Sequence, residues 1–402
     1  MEHPIEITHA SGHLSAVNST VLHQNNITAD TKDPSGGAFE RDTKGEPDGI
    51  VKESARRLLK NTALDFSIHP GFEEELQGYR DYFNLLLASG ITSLGDCWVT
   101  PEKYRIYKTL ETQHFPMRFN LYIGSYFLSD VTSGKIPVQH TDYLTVAGIK
   151  LFHGNSLSGK TCWLTEPYDM INPATGKYDY FGIPPAMTQQ ELDSVVLAIH
   201  KAGQQMACHS NGDREISMVL KAIEYAQRAY PRKDARHRIE HCSIVTTAIL
   251  ESIKKDGVIP VFHCYMNELG KQLMVYTRQK NSLLIPTQTA LQMKIPFALH
   301  SDYPISRFES MTRLSSAVNR TNGDVTVLGT GERLTPEQAI YAYTSGGAYT
   351  THEENKKEKL IPGFFADMVV LDNDPTGVEP AVIEKIKVLA TYIGGKEVFH
   401  QN

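Results

Sequence analysis

The sequence predicts an α/β fold: a parallel barrel of β/α units of the (β/α)8 TIM-barrel type, followed by a small β segment. Three observations predict it. The stretch 205–243 reads as strand, helix, strand, with His209 and His241 at the far ends of the two strands. Seven such strands, separated by helical patterns, can be counted between Ile91 and Asp302. After Lys359 the pattern changes to short strands alone.

Residues 1 to about 60 do not follow the β/α rhythm. Residues 17–22 form a helix-like piece, and 30–49, rich in Asp, Gly, Pro and Lys, reads as loop rather than core. Residues 70–88 carry a helix period, with Leu76, Tyr79, Tyr82, Phe83, Leu86 and Leu87 on one face. Strands follow at 91–96, 118–123 and 147–152. Residues 157–185 hold Gly, Pro, Asn, Asp and Tyr with no helix period. A loop of that length in a compact domain is usually functional or disordered. Helices are then expected at 189–202, 216–226, 246–255, 284–294 and 335–344, with strands at 204–208, 236–241, 258–263 and 296–302 between them. Residues 366–372 read as a strand, and 388–393 pairs with 396–400 in a hairpin across Gly394-Gly395. The expected division is a barrel over 1–355, with 1–60 an insertion or lid, and a C-terminal β segment over 356–402.

Composition bounds the function. The 402 residues are 41% hydrophobic, enough for a large core, and carry a net charge of -6. That acidic balance argues against a nucleic-acid partner. No apolar run is long enough for a membrane span, and the N-terminus lacks the basic and apolar regions of a signal peptide. Five unclustered cysteines suit free buried thiols in a reducing compartment, so a cytoplasmic protein is expected.

Chemistry in a parallel barrel sits at the C-terminal ends of the strands. His209 and His241 lie 32 residues apart, about one β/α unit. Two imidazoles at equivalent positions of neighbouring strands can share one metal ion; satisfied core histidines fit the same positions. Asp302 ends the last strand, 61 residues after His241. A carboxylate there can take a proton from an activated water. With Pro304 close behind, it equally suits a cap or a turn.

Several stretches together carry a family resemblance: Ser11-Gly12-His13-Leu14-Ser15-Ala16-Val17-Asn18-Ser19, Asp33-Pro34-Ser35-Gly36-Gly37, Lys150-Leu151-Phe152-His153-Gly154-Asn155-Ser156, His209-Ser210-Asn211-Gly212-Asp213-Arg214, His237-Arg238-Ile239-Glu240-His241-Cys242, His300-Ser301-Asp302-Tyr303-Pro304, and the tail from Ile361 to Asp372. With these the chain resembles the amidohydrolase superfamily, in its YtcJ-like or N-substituted formamide deformylase-like branch. Members of that branch begin with half of a β-sandwich and a first barrel strand ending in His-x-His. Neither has a counterpart in these 402 residues. The chain is therefore expected to correspond to the C-terminal three-quarters of a longer protein, with the barrel's first strand missing and a sandwich remnant at its end.

The resemblance implies metal-dependent hydrolysis of a non-peptide C–N bond in a small-molecule amide, N-acyl or N-formyl. It implies Lys150, His209, His241 and Asp302 as ligands of one or two divalent ions, with Lys150 carbamylated and Asp302 also catalytic. Zinc is expected, and iron and manganese suit the same ligands. His153, Asn155 and His263 follow strand ends where they can bind substrate. Trp163 and Tyr168 in the long loop, and His13 in the N-terminal segment, are placed to cover it. Arg238, Glu240, Asp213 and Arg214 read either as partners that orient the ligands or as an ion-pair network for stability. A catalytically inactive fragment or paralogue with a binding or assembly role is the alternative, and a homo-oligomer is compatible with both.

Overall fold

The computed structural model describes residues 3–60, 70–172, 174–321 and 327–401. Its centre is a seven-stranded parallel sheet. The strands run Ser93–Val99, Arg118–Gly124, Leu144–Phe152, Gln205–Ser210, Arg238–His241, Ile259–His263 and Ala298–His300. Each pairs with the next in sequence, so the sheet order is the chain order. Parallel neighbours need a crossover. The helices Pro101–Thr112, Gln189–Lys201, Asp213–Ala229 and Thr247–Asp256 supply four of them. The strands at 118–124 and 205–210 are buried at every position, as expected of a sheet covered on both faces. The seven strands curl into part of a barrel.

Local chemistry sets the helix ends. Thr188 caps the helix Gln189–Lys201 in a capping box with Glu191. Left-handed Gly257 closes Thr247–Asp256, where glycine meets no steric penalty. The helix Phe72–Ala88 starts with three glutamates in its first turn and buries Leu76, Phe83, Leu86 and Leu87 against the sheet. Where a helix was expected over 284–294, the chain instead makes a strand, Ser282–Leu284, and a short helix, Thr287–Gln292. Antiparallel pairing of Ser282–Leu284 with Ile244–Thr246 overrides the helical pattern there.

The N-terminal segment departs most from expectation. Residues 30–49 are not all loop. Gly37–Arg41 and Pro47–Glu53 are strands in a four-stranded antiparallel sheet with Glu6–Thr8 and Leu14–Val17. The polar composition belongs to the connecting turn. Asp42 accepts from the backbone N–H of Lys44 and Glu46 and closes the hairpin. Phe39 and Val51 point inward with Val21, Leu22, Ile27, Ala55 and Leu59, giving this sheet a small core of its own.

The last strands, Met368–Leu371, Val388–Ile393 and Lys396–His400, form a three-stranded antiparallel sheet. Its hairpin turns at Gly394 and Gly395, both at positive φ. Arg118 anchors the preceding loop through Asp367 at 2.6 and 2.8 Å, and Thr391 reaches the Leu87 carbonyl at 2.7 Å. All five cysteines are free.

Among the described residues no strand pairs with the outer edge of Ser93–Val99 or of Ala298–His300. Open edges invite pairing between chains. The 402-residue chain is therefore expected to elute as oligomers in size-exclusion chromatography with light scattering. A monodisperse monomer would show that the edges are protected.

Candidate active site

The strand ends converge on one group of side chains, built in two layers. The lower layer is a buried ion pair. Arg238 bonds both oxygens of Glu240, at 2.8 and 2.9 Å. Alternation puts residues two apart on the same face of a strand, so the pair is local. Arg238 also donates to Tyr122 Oη at 2.5 Å, which donates to Gln205 Oε1 at 2.7 Å. Burial works against the Glu240 charge, yet Arg238 and Lys150 hold its carboxyl below the usual range.

The upper layer holds the histidines. His241 follows Glu240 and should face the other way, but both reach the interior. Left-handed φ values of 70° at His241 and 45° at Cys242 break the alternation. Strained non-glycine positions of this kind cluster at functional sites. The His209 and His241 rings lie 4.6 Å apart, nearly perpendicular, so the expected pair does meet. His300 stands 4.9 Å from His241 and 4.7 Å from His263. Burial pushes His209, His241 and His263 well below their ordinary value and His300 down to about 4. Lys150 is buried beside them, its Nζ 5.0 Å from the centre of the Phe152 ring. Burial pushes the Asp302 carboxyl up to about 6, with Lys150 opposing and Glu240 adding. Asp302 too has a left-handed φ, of 56°.

The N-terminal sheet reaches this mouth. His13 stacks on His209 with ring centroids 5.2 Å apart. Its Nδ1 lies 2.7 Å from Glu53 Oε2. The other oxygen of Glu53 accepts from Ser156 N at 3.3 Å and from the Thr161 hydroxyl. Sequence reasoning missed Glu53, since the residues it joins are up to 108 positions away.

The other expected residues divide. His153 is buried with neither ring nitrogen hydrogen-bonded among the described residues. Asn155 faces the loops instead: its side chain donates to the Ile183 carbonyl at 2.6 Å, and its own carbonyl lies 3.2 Å from His209 Nε2. His263 Nε2 lies 2.9 Å from Ser306 Oγ. Trp163 carries the Arg214 guanidinium 4.9 Å from its ring centre. Tyr168 does not cover the mouth. It is wholly buried against Tyr180 and Tyr276, its hydroxyl on the Cys162 carbonyl, because the long loop packs Leu157, Cys162, Leu164 and Tyr168 into the main core.

Glu215 was also missed. Its carboxylate accepts four backbone N–H groups: Asn155 at 3.0 Å, Trp163 at 2.8 Å, Asn211 at 3.2 Å and Gly212 at 2.9 Å. Two connections at the mouth, the long one after Phe152 and the short one after Ser210, are thus pinned to one side chain. Its place three residues after the N-cap Gly212 was the available signal. Burial pushes Glu215 up to about 8 against the pull of these donors.

Burial lowers His153 from 6.5 to about 4. A depressed base binds fewer protons folded than unfolded, so its neutral burial favours the fold above pH 6.5 and stability falls as pH drops from 6.5 toward 4. The gap of about 2.5 units corresponds to about 3 kcal/mol. Urea unfolding of chelator-treated protein at pH 7.5 and 4.5 is expected to show a smaller acid loss for His153→Gln than for the parent. Equal losses would contradict it.

Residues 1–399 match the model of the Amidohydrolase family. The chain belongs to the amidohydrolase family. Among curated relatives, this amidohydrolase is 25% identical over 418 residues to the YtcJ protein of Bacillus subtilis (strain 168), covering 100% of this chain and 75% of that one. It is 25% identical to the N-substituted formamide deformylase of Arthrobacter pascens, covering 98% of this chain and 72% of the relative. In structure it is similar to an uncharacterized metal-dependent hydrolase from Pyrococcus horikoshii OT3, with a TM-score of 0.70 at 24% identity, covering 94% of this chain and 73% of that one. A second such hydrolase, from Pyrococcus furiosus, aligns at a TM-score of 0.66. The fold is accordingly the α/β barrel fold of metal-dependent hydrolases, with a small antiparallel sheet at the C-terminus.

The side chains fit a divalent transition metal. Neutral imidazoles and a carboxylate are its usual ligands, and the His300 Nε2 atom is buried without a partner among the described residues.

Proposed function

We propose that this amidohydrolase hydrolyses a non-peptide C–N bond, an N-acyl or N-formyl amide of a small molecule, with a bound divalent metal, zinc first among the candidates. The observation that carries the reading is the convergence of His209, His241, Lys150 and Asp302 at the barrel mouth. The name of the Arthrobacter relative, an N-substituted formamide deformylase, supports the bond type. When bound, the metal supplies an activated water and a polarised carbonyl.

His209, His241 and Asp302 would hold the ion, with Lys150 as a fourth ligand. The Lys150 ammonium would lose one proton to give the amine, and the amine would add carbon dioxide with loss of a second proton, turning a repelling cation into an anionic carbamate ligand. Asp302 moves the proton. Its carboxylate takes one from the attacking water as the C–O bond forms and delivers it to the nitrogen as the C–N bond breaks. A carboxyl titrating near 6 can do both at neutral pH. His13, held by Glu53, and His153 face the same space and would bind substrate polar atoms; Trp163 and His263 border it. The protein would work in the cytoplasm, as a homo-oligomer.

The second reading, an inactive binding or assembly protein, is favoured by the open ends of the sheet. Metal analysis after growth with zinc, iron or manganese, together with amine release from a panel of N-formyl and N-acetyl amines, separates the two. Bound metal with release from one acyl class supports the hydrolase. Metal-free protein without turnover supports the alternative.

A further inference from the structure

We propose that Trp98, Tyr126 and Phe152 form an aromatic wall at the barrel mouth, and that this wall receives an aromatic ring carried by the amide substrate. The inference rests on the hydrolase reading above and names the class of substituent that the site takes. Between ring centres, Trp98 lies 5.0 Å from Phe152 and 5.6 Å from Tyr126, nearly perpendicular to the latter. Phe152 in turn lies 5.6 Å from the His209 ring. The wall therefore begins beside a residue of the reactive centre and runs outward. Tyr126 is 74% exposed and Phe152 45%. Clustered apolar surface left open beside a reactive centre is surface that a ligand covers.

The backbone aims the wall. Trp98 is the extra residue where the strand Ser93–Val99 slips by one against Arg118–Gly124. Bulges of this kind redirect a side chain and recur beside active sites. Trp98 also holds a φ of 120°, a conformation that is costly for any residue but glycine. Its indole lies over Gly124, where a methyl group would come within 3.2 Å of the ring. Gly124 is the register partner of Lys150. Phe152 stands two residues beyond Lys150 on the same face of its strand, with the Lys150 Nζ 5.0 Å from its ring centre. A bulge, a bare glycine and strand alternation thus bring the rings together above Lys150.

The chemistry of the wall selects its occupant. Aromatic rings gain from offset or edge-on contact with other rings, beyond the area that they bury. Trp98 and Tyr126, set nearly at a right angle, offer a face and an edge to a third ring. An aliphatic group of equal bulk gains the buried area alone. The closeness of Phe152 to His209 keeps the tether between that ring and the scissile amide short. Either side of the amide, acyl or amine, can carry the ring, and both carriers present the same surface to the wall.

The test is titration calorimetry on the whole 402-residue chain, treated with chelator so that nothing turns over. The ligands are N-(2-phenylethyl)formamide, with its ring on the amine side, N-methyl-3-phenylpropanamide, with its ring on the acyl side, and the cyclohexyl counterpart of each. At least one aryl compound is expected to bind about three- to tenfold more tightly than its counterpart. Trp98→Gly and Tyr126→Ala are each expected to erase that preference. Glycine takes the φ of position 98 freely, and the exposure of Tyr126 lets alanine replace it without disturbing the core; circular dichroism checks both folds. Absence of binding, equal affinities for aryl and cyclohexyl compounds, or a preference that survives both substitutions would overturn the proposal. Because no turnover is read, each of these results leaves the hydrolase reading standing. An aryl preference in a chain that releases no amine after metal loading would instead sink that reading and keep the wall as a binding site.

Discussion

Asp302→Asn is expected to lower amide turnover by roughly 10²- to 10⁴-fold, the usual worth of a positioned general acid–base group. An amide has nearly the shape of the carboxylate but cannot take up the proton. The parent enzyme should show an acidic limb in kcat/KM. Asp302 is raised from 3.8 to about 6, so the basic form it needs forms only as pH rises through about 6. The variant should lose that limb together with the rate. Metal content should stay unchanged or fall modestly, since His209, His241 and Lys150 remain. Steady-state kinetics from pH 5 to 9 with metal analysis on the same preparations would check this. Retention of more than about a tenth of parental activity would remove Asp302 from the mechanism.

Glu240→Gln is expected to cost about 3–5 kcal/mol of folding stability, the penalty for leaving a buried charge unpaired. Arg238 is 6% exposed and Glu240 4%. Their two bonds lie at the bottom of the site, where water does not replace a lost partner. The double substitution Arg238→Met with Glu240→Leu removes both charges and should be less harmful than either single charge removal. Urea unfolding of the parent, Arg238→Met, Glu240→Leu and the double variant forms the cycle. The sign with pH also follows. The Glu240 carboxyl is held below its ordinary 4.5, so the pair's contribution is present above that value and lost as pH falls through the lower folded one. A Glu240→Gln protein as stable as the parent would mean that Arg238 is held by Tyr122 and solvent instead.

The β/α rhythm was legible because it is local. Strand and helix periods need only a window of residues, and all seven barrel strands fall where the apolar runs put them. Local too were the strand-end places of His209 and His241, and the free cysteines, whereas Lys150 lies two residues inside its strand and Asp302 two residues beyond the last one. The N-terminal hairpin was read as loop because its turn-forming Asp, Gly and Lys outnumber Phe39 and Val51, the side chains that give it a core.

What only the tertiary structure decided is which side chains meet. His300 stood in a quoted motif, yet nothing local says that parallel register sets it beside His263. Glu53 reaches His13 across 40 residues, and Glu215 gathers N–H groups from positions 155, 163, 211 and 212. The left-handed turn at His241 likewise reverses the facing that alternation predicts. By itself the sequence determined the strands and which residues stand at their ends, because hydrophobic period acts through near neighbours. The structure decided the grouping, because sheet register and backbone turns act between residues far apart in the chain.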